Sequence, residues 1–539
     1  MMAAGLVNRT WHEASLAMKF LDEVELVLGR PRADNLNEVI ELLQHSTRPF
    51  YNFVFRKVEL KRNMAIWDQY GPHMKSLVLL CCDLSEKTLV EIFKCCKSLR
   101  ILHINDCRES LMSGRLLEDE NDIKELSETF KNVYELSLGY NRFLSDALFN
   151  RLVAICPNLE SLSLMGCQMT FHYGLNRKFY PDFYGLPYPS KSTLTFINAL
   201  DYFGRQAYKL KHLNFSYTLI DPSALTILSG LQNLRLESLI LQGCDHLSIE
   251  SIRGMTQHQT CLKVLDISFS VRIADDSLLC ICENLTKLET LRIRRCREVT
   301  DVEKNCVQRR TEKRMRKENM RILSANALRI HEESVECISK FFPNLRQLEL
   351  SYCFSGVTDK TIQMIFKELV HLQTLNISHC DEVSDAGLTG MGIGNYKYVE
   401  KIQVAHNPEF TESRLRISLR SKAEEEIVRD ADRKREIMKL CENVSKPLNS
   451  FSGYSLIRLK CLQELDLSGC NRITDVSLKH AFAFPELKIL NLSQCQQVGV
   501  NQSNSILKIF IFIINHTFCY RLQILDWIIY QKIIRQLNT

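Results

Sequence analysis

Along most of the chain the apolar residues keep neither a helical nor a strand period. In "LQELDLSGCNRITD", Leu462, Leu465 and Leu467 stand three and then two apart, and Cys470 follows three residues later. An amphipathic helix repeats near 3.6 residues and a half-buried strand near 2, so neither alone accounts for the run. The same spacing, apolar-x-x-apolar-x-apolar-x-x-Cys, returns in "LRILHINDC" ending at Cys107, "LESLSLMGC" at Cys167, "LESLILQGC" at Cys244 and "LETLRIRRC" at Cys296. It returns again in "LRQLELSYC" at Cys353, "LQTLNISHC" at Cys380 and "LKILNLSQC" at Cys495. Looser copies end at Cys82, Asn141, Thr218, Ser270 and Asn407, making thirteen units with Cys470. Neighbouring units are commonly about 26 residues apart, a period that marks a leucine-rich repeat.

Each unit predicts a short strand, a corner and a helix. In "LDLSG" the alternation turns Leu465 and Leu467 inward and Asp466 and Ser468 outward. After the cysteine, "RITDVSLKHAF" offers Thr474 or Asp475 as a helix cap, with Leu478 and Phe482 returning to the core. The endings "EVTD", "GVTD" and "EVSD" repeat that signal before Asp301, Asp359 and Asp385. The expected fold is therefore α/β: a leucine-rich repeat solenoid, or horseshoe, over residues 74–499. Inserts break the period near 171–200, 303–322 and 412–455. Cysteine and asparagine share the corner position, where a small, mostly buried side chain suits the turn, so the repeat cysteines read as structural.

Composition sharpens this picture in two places. The net charge of +6 is concentrated in "QRRTEKRMRKENMR", Gln308 to Arg321, which holds seven Lys/Arg and two Glu. The remainder is nearly neutral, so a specific nucleic-acid interface is not expected. The 21 cysteines are odd in number, no signal peptide begins at Met1, and no pair of CxxC motifs is present, which points to reduced thiols in an intracellular chain. No phosphate loop, HExxH or GxSxG occurs, and "GMGIG" around Gly392 neither follows a strand nor opens a clear helix. Catalytic, cofactor and metal residues are expected to be none.

Cysteine at the corner followed by I/V-T-D resembles the cysteine-containing repeats of F-box/leucine-rich repeat proteins. "LVNRTWHEAS", Leu6 to Ser15, resembles the last helix of an F-box, with Val7, Asn8, Arg9, Trp11 and Ala14 at its positions. The Leu-Pro start of that motif is absent, so residues 1–20 read as a truncated, short helical F-box remnant and 21–73 as a helical and strand cap and linker. The resemblance implies a substrate receptor of a Skp-cullin-F-box ubiquitin ligase: a monomer within a complex, cytoplasmic or nuclear, that performs no chemistry itself. Leu6, Val7 and Trp11 would meet the Skp-type adaptor, with cullin beyond it, and protein substrates would be held for proteasomal degradation. The alternative is a repeat scaffold or inhibitor without ubiquitin-ligase association.

Outward strand positions would line the concave face of a solenoid. They read His103, Ser137, Ser163, Asn214, Ile240, Asp266, Arg292, Glu349, Asn376, Gln403, Asp466 and Asn491. "RIRRC" places Arg292 and Arg294 on that face with Arg295 close by, a guanidinium cluster suited to a carboxylate or phosphate on a target, flanked by Asp266 and Glu349. The aromatic stretch Phe171 to Ser190 is a candidate partner contact, Arg309 to Arg321 a candidate nuclear localisation signal, and Ser421 to Lys439 an exposed charged helix. Residues 500–539 lose the repeat and hold ten isoleucines, yet charges interrupt any span of about twenty apolar residues, so no membrane helix is expected. This tail reads as an atypical segment foreign to the repeat, as if non-coding sequence had been translated.

Overall fold

A computed structural model describes residues 22, 24–29, 36–46, 48–171, 190–300, 317–390, 453–481 and 486–498. The chain divides into two compact units, Met1–Ser270 and Val271–Thr539. Among the described residues of the first, the strands are β1 (Glu25–Gly29), β2 (Asn52–Arg56), β3 (Ser76–Leu80), β4 (Ile101–Asn105), β5 (Glu135–Ser137), β6 (Ser161–Ser163), β7 (Met169–Thr170), β8 (Leu194–Thr195), β9 (His212–Asn214), β10 (Ser238–Ile240) and β11 (Val264–Asp266). All but β7 and β8 form one parallel ladder in chain order, with β6 beside β9; β7 and β8 pair separately. The second unit orders β12 (Thr290–Arg292), β13 (Ile322–Ser324), β14 (Gln347–Glu349), β15 (Thr374–Asn376), β16 (Glu464–Asp466) and β17 (Ile489–Asn491) in the same way. Each unit is thus an open run of strand–helix repeats of leucine-rich type.

The ladder keeps one register, the central leucines facing each other: Leu239 with Leu265, Leu348 with Leu375, Leu465 with Leu490. Leu462, Leu465, Leu467 and Cys470 are all essentially inaccessible, so the three-two-three spacing is what buries four side chains around one corner. Each such leucine contributes roughly 1.5–3 kcal/mol by leaving water. The residue before each corner is left-handed: Cys81, Asp106, Tyr140, Tyr217, Tyr352 and His379 have φ between 53° and 60°, and Gly166, Gly243 and Gly469 between 65° and 71°.

The corner side chain donates across to the preceding repeat. Cys82 Sγ reaches the Phe55 carbonyl at 3.4 Å, Cys167 that of Leu138 at 2.9 Å, Cys244 that of Phe215 at 3.3 Å and Cys353 that of Ala325 at 3.2 Å. Cys380, Cys470 and Cys495 do the same toward Leu350, Ile377 and Leu467 at 3.4, 3.2 and 3.1 Å. Asn141 Nδ2 takes that role at 2.6 Å from the Ile104 carbonyl, and Ser270 at 3.5 Å from that of Leu241. Burial pushes the thiols up, Cys244, Cys353 and Cys495 to about 11 and Cys167 and Cys470 to about 12, so they stay protonated donors and poor nucleophiles. All described cysteines are free thiols.

The T/S-D signal has a second role beyond capping. Thr474 caps the helix Asp475–Ala481 through the Val476 amide at 3.2 Å, and Thr358 and Ser384 cap theirs. The first helical carboxylate then accepts from the cap residue of the next repeat. Asp359 receives the Ser384 amide and hydroxyl, both at 2.7 Å, and Asp275 those of Thr300 at 3.0 and 3.2 Å. Asp146 receives those of Thr195 at 2.6 and 2.9 Å, although burial pushes its carboxyl up.

Three features differ from the sequence expectation. First, β1 and β2 belong to the ladder, so repeats begin before Met74. Phe50, Phe53, Phe55 and Val58 hold the four template positions in and around β2, and Trp67 packs 5.3 Å from the Phe55 ring. Second, β13 is a repeat of its own, with Met320, Leu323, Ala325 and Leu328 buried at those positions; alanine and leucine in place of leucine and cysteine disguised it. Third, β15 pairs directly with β16, Leu375 facing Leu465, and the expected unit ending at Asn407 lies outside the described residues. The chain leaves at Gly390 and returns at Gly453, which are in van der Waals contact. Gln363 clamps the returning backbone, donating to the Tyr454 carbonyl at 2.5 Å and to that of Gly387 at 2.6 Å and accepting the Tyr454 amide.

Candidate protein-recognition face

Outward residues of the strands and of the corners after them form rows across each ladder. In the first unit the strand row carries His103, Ser137, Ser163, Asn214, Ile240 and Asp266; in the second, Arg292, Ser324, Glu349, Asn376, Asp466 and Asn491. Several of these polar side chains are turn-formers. The side-chain oxygens of Asn214, Asp266, Asn376, Asp466 and Asn491 each accept the amide two residues on, at 2.9 to 3.0 Å, which fixes the backbone leaving the strand. His103 hydrogen-bonds Glu135 at 2.8 Å across β4 and β5, and this bond holds the Glu135 carboxyl below the usual range.

The predicted target contacts fall as follows. Arg292 and Arg294 are half-buried and Arg295 is exposed at a left-handed corner, φ 55°. Glu349 is separated from Arg292 by Ser324 of the unforeseen β13, and its carboxylate accepts from Ser324 Oγ, from Asn326 Nδ2 at 3.2 Å and from Gln347 Nε2 at 2.6 Å. Its oxygens are built into the ladder. Asp266 lies in the first unit, 7% exposed, with its turn bond to Ser268. Leu6, Val7 and Trp11, Gln403, the tail from 500 and the charged stretch Ser421 to Lys439 lie outside the described residues, as do 172–189 of the aromatic insert and 301–316 of the basic one. The end of the basic run is built into β13: Lys317 is buried, which pushes its ammonium down, and the Arg321 carbonyl accepts two strand amides, from Arg346 and Gln347 at 2.8 and 3.0 Å.

Exposed aromatics at the corners went unnoticed in the sequence. Tyr140, Phe143 and Tyr217 in the first unit, and Tyr352 and Phe354 in the second, are 42–54% exposed. Tyr352 stacks on His379 with ring centroids 4.4 Å apart and meets Phe354 edge-on at 6.2 Å. The signal of Tyr140, Tyr217 and Tyr352 lay one residue before each corner, where a left-handed backbone turns the side chain out beside the strand face, while Phe143 and Phe354 follow the corner. Partly exposed, pre-ordered rings are the side chains that most often anchor protein partners. Among the described residues no group of His, Cys, Asp and Glu could hold a metal ion, and no helix is long and apolar enough to cross a membrane.

The repeat has counterparts elsewhere. A family model described as "Leucine Rich repeat" matches residues 369–392 and 458–479, the repeats on either side of the break at Gly390. The fold is similar to a yeast Rad7 and Elc1 complex structure at 17% identity and TM-score 0.43, covering 72% of this chain and 88% of that one. It is also similar to an internalin (inlF) from Listeria monocytogenes at 14% identity and TM-score 0.34, covering 66% and 84%. A TLR13–ssRNA13 complex matches at 14% identity and TM-score 0.35, covering 85% and 60%. The chain has a leucine-rich repeat fold, with the family model matching two of its repeats.

Proposed function

We propose that the chain is a non-catalytic protein-recognition module that grips its partner with the outward strand rows and the aromatic corners. The observation that supports this reading is the Tyr352–Phe354–His379 cluster: three rings ordered by one another and half open to solvent, beside strand-row polar groups such as Glu349, Asn376 and Asp466 that are engaged in building the ladder. Ring pairs of this kind bury large area at small entropic loss when a partner docks.

The narrower reading is a substrate receptor of a Skp-cullin ubiquitin ligase, supported by Val7, Arg9 and Trp11 in the F-box-like sequence and by the cysteine corners with T/S-D. A receptor of this kind acts by raising local concentration. Co-purification of the full chain with the Skp adaptor tests it. Adaptor binding that Trp11→Ala removes and Tyr352→Ala/Phe354→Ala leaves intact is the expected result for a receptor, while a captured target shows the reverse pattern. Absence of adaptor binding by the unsubstituted chain would reduce the function to the recognition module alone.

A further inference from the structure

The residue just before each strand lies in a row of its own, because its carbonyl accepts two amides from the next repeat. Tyr51 receives Lys75 and Ser76 at 2.8 and 3.1 Å, Lys75 receives Arg100 and Ile101 at 2.8 and 3.1 Å, and Arg100 receives Tyr134 and Glu135 at 3.0 and 3.3 Å. Neighbours in this row are one strand spacing apart, about 4.8 Å. Like charges at that spacing repel, and most of the first unit avoids the problem by alternating sign. Lys211 meets Glu160 at 2.7 Å and Lys263 meets Glu237 at 2.6 Å. At Lys75 and Arg100 two cations stand next to each other instead.

These two residues line a cleft of about 300 Å³ together with His73, Lys97, Ser98 and Asn132, and no carboxylate lines it. Lys75 is partly neutralised: its ammonium contacts Asp22 at 2.6 Å and lies 4.3 Å from the centre of the Tyr51 ring. Lys97 and Arg100 are exposed and make no ion pair among the described residues. Ser98 commits its proton to the Pro72 carbonyl at 2.7 Å, leaving the Lys97 ammonium, the Arg100 fork, the Asn132 amide and the His73 ring as donors. We infer that this cleft binds a phosphate monoester. A compact dianion matches the Lys97 ammonium and the Arg100 guanidinium lining one cleft, and the guanidinium fork can take two of its oxygens at once. Nucleic acid fits poorly, since its regular phosphates need a long basic stripe and the row turns acidic at Glu160.

The phosphate is carried either by a phosphorylated side chain of a partner or by a small free molecule. The first source rests on the protein-recognition reading above; the cleft itself does not. Calorimetric titration of the full chain at constant ionic strength with inorganic phosphate, with a phosphoserine peptide of neutral sequence and with its unphosphorylated form tests both. The expected result is saturable one-site binding of phosphate and phosphopeptide, weakened roughly tenfold or more by Lys97→Ala/Arg100→Ala and unchanged by Lys211→Ala in the same row. Arg100→Gln alone serves if the double variant melts early. No saturable binding to the unsubstituted chain, or equal weakening by Lys211→Ala, overturns the site. Inorganic phosphate bound but phosphopeptide rejected overturns the partner as source and leaves the recognition reading untouched.

Discussion

At the corner, one side chain joins two repeats, and the residue types found there follow from that task. In most repeats the position holds a small donor aimed at a carbonyl one strand away, which cysteine, asparagine and serine all supply, while Val58 and Leu328 fill it by packing alone. Cys470→Ala removes the bond to Ile377 and leaves a small void, and should cost about 1–2 kcal/mol; Cys470→Ser should stay within about 1 kcal/mol of the native chain. Urea unfolding midpoints check this, and serine proving as costly as alanine would count against the donor role. The structural reading of the cysteines was legible from their spacing. The use of Glu349 was not: its bonds depend on Ser324 and Asn326, which belong to a repeat whose alanine and leucine hid it from the pattern.

Among the elements, helices are tied to one another as firmly as strands are. Asp385 is 2% exposed and accepts from the Thr474 amide and hydroxyl at 2.9 and 2.6 Å and the Ser477 amide and hydroxyl at 3.3 and 2.5 Å. It joins repeats that lie 89 residues apart in sequence. Asp385→Ala leaves those donors buried without an acceptor and should destabilise the second unit by about 3 kcal/mol. Hydrogen exchange read by mass spectrometry should show faster exchange in Asp475–Ala481 while helix Ile249–His258 of the first unit is unchanged. The T/S-D signal revealed the caps from sequence alone. Its second partner was invisible there, because which repeat follows which is a fact of the folded ladder.

For the whole molecule, the repeat class was legible, and the twelve predicted units that fall on described residues correspond to strands, while β13 and the place of β1 and β2 in the ladder came only from the fold. Phenylalanine in β2 and alanine in β13 fill the same inward positions as leucine, and burial does not distinguish them as a sequence template does. Because Gly390 touches Gly453, the roughly sixty-residue segment 391–452 can be replaced by two glycines with both ends already in place. The shortened chain should keep the cooperative unfolding of its second unit and gain up to about 3 kcal/mol from the shorter loop. Collapse of the second unit on excision would mean that the segment is needed for folding.

The corner glycines carry a last consequence. In the first unit Tyr140 lies over Gly166 and Tyr217 over Gly243, each ring filling the space that a Cβ would take, and Phe269 follows at the next corner. Rings therefore recur at every second strand, about 10 Å apart. That distance is close to seven residues of an α-helix or three of an extended strand. The ridge acts as a ruler: a docking helix would be read at its two-turn interval, and a partner whose apolar side chains recur at any other interval would meet one ring and miss the next.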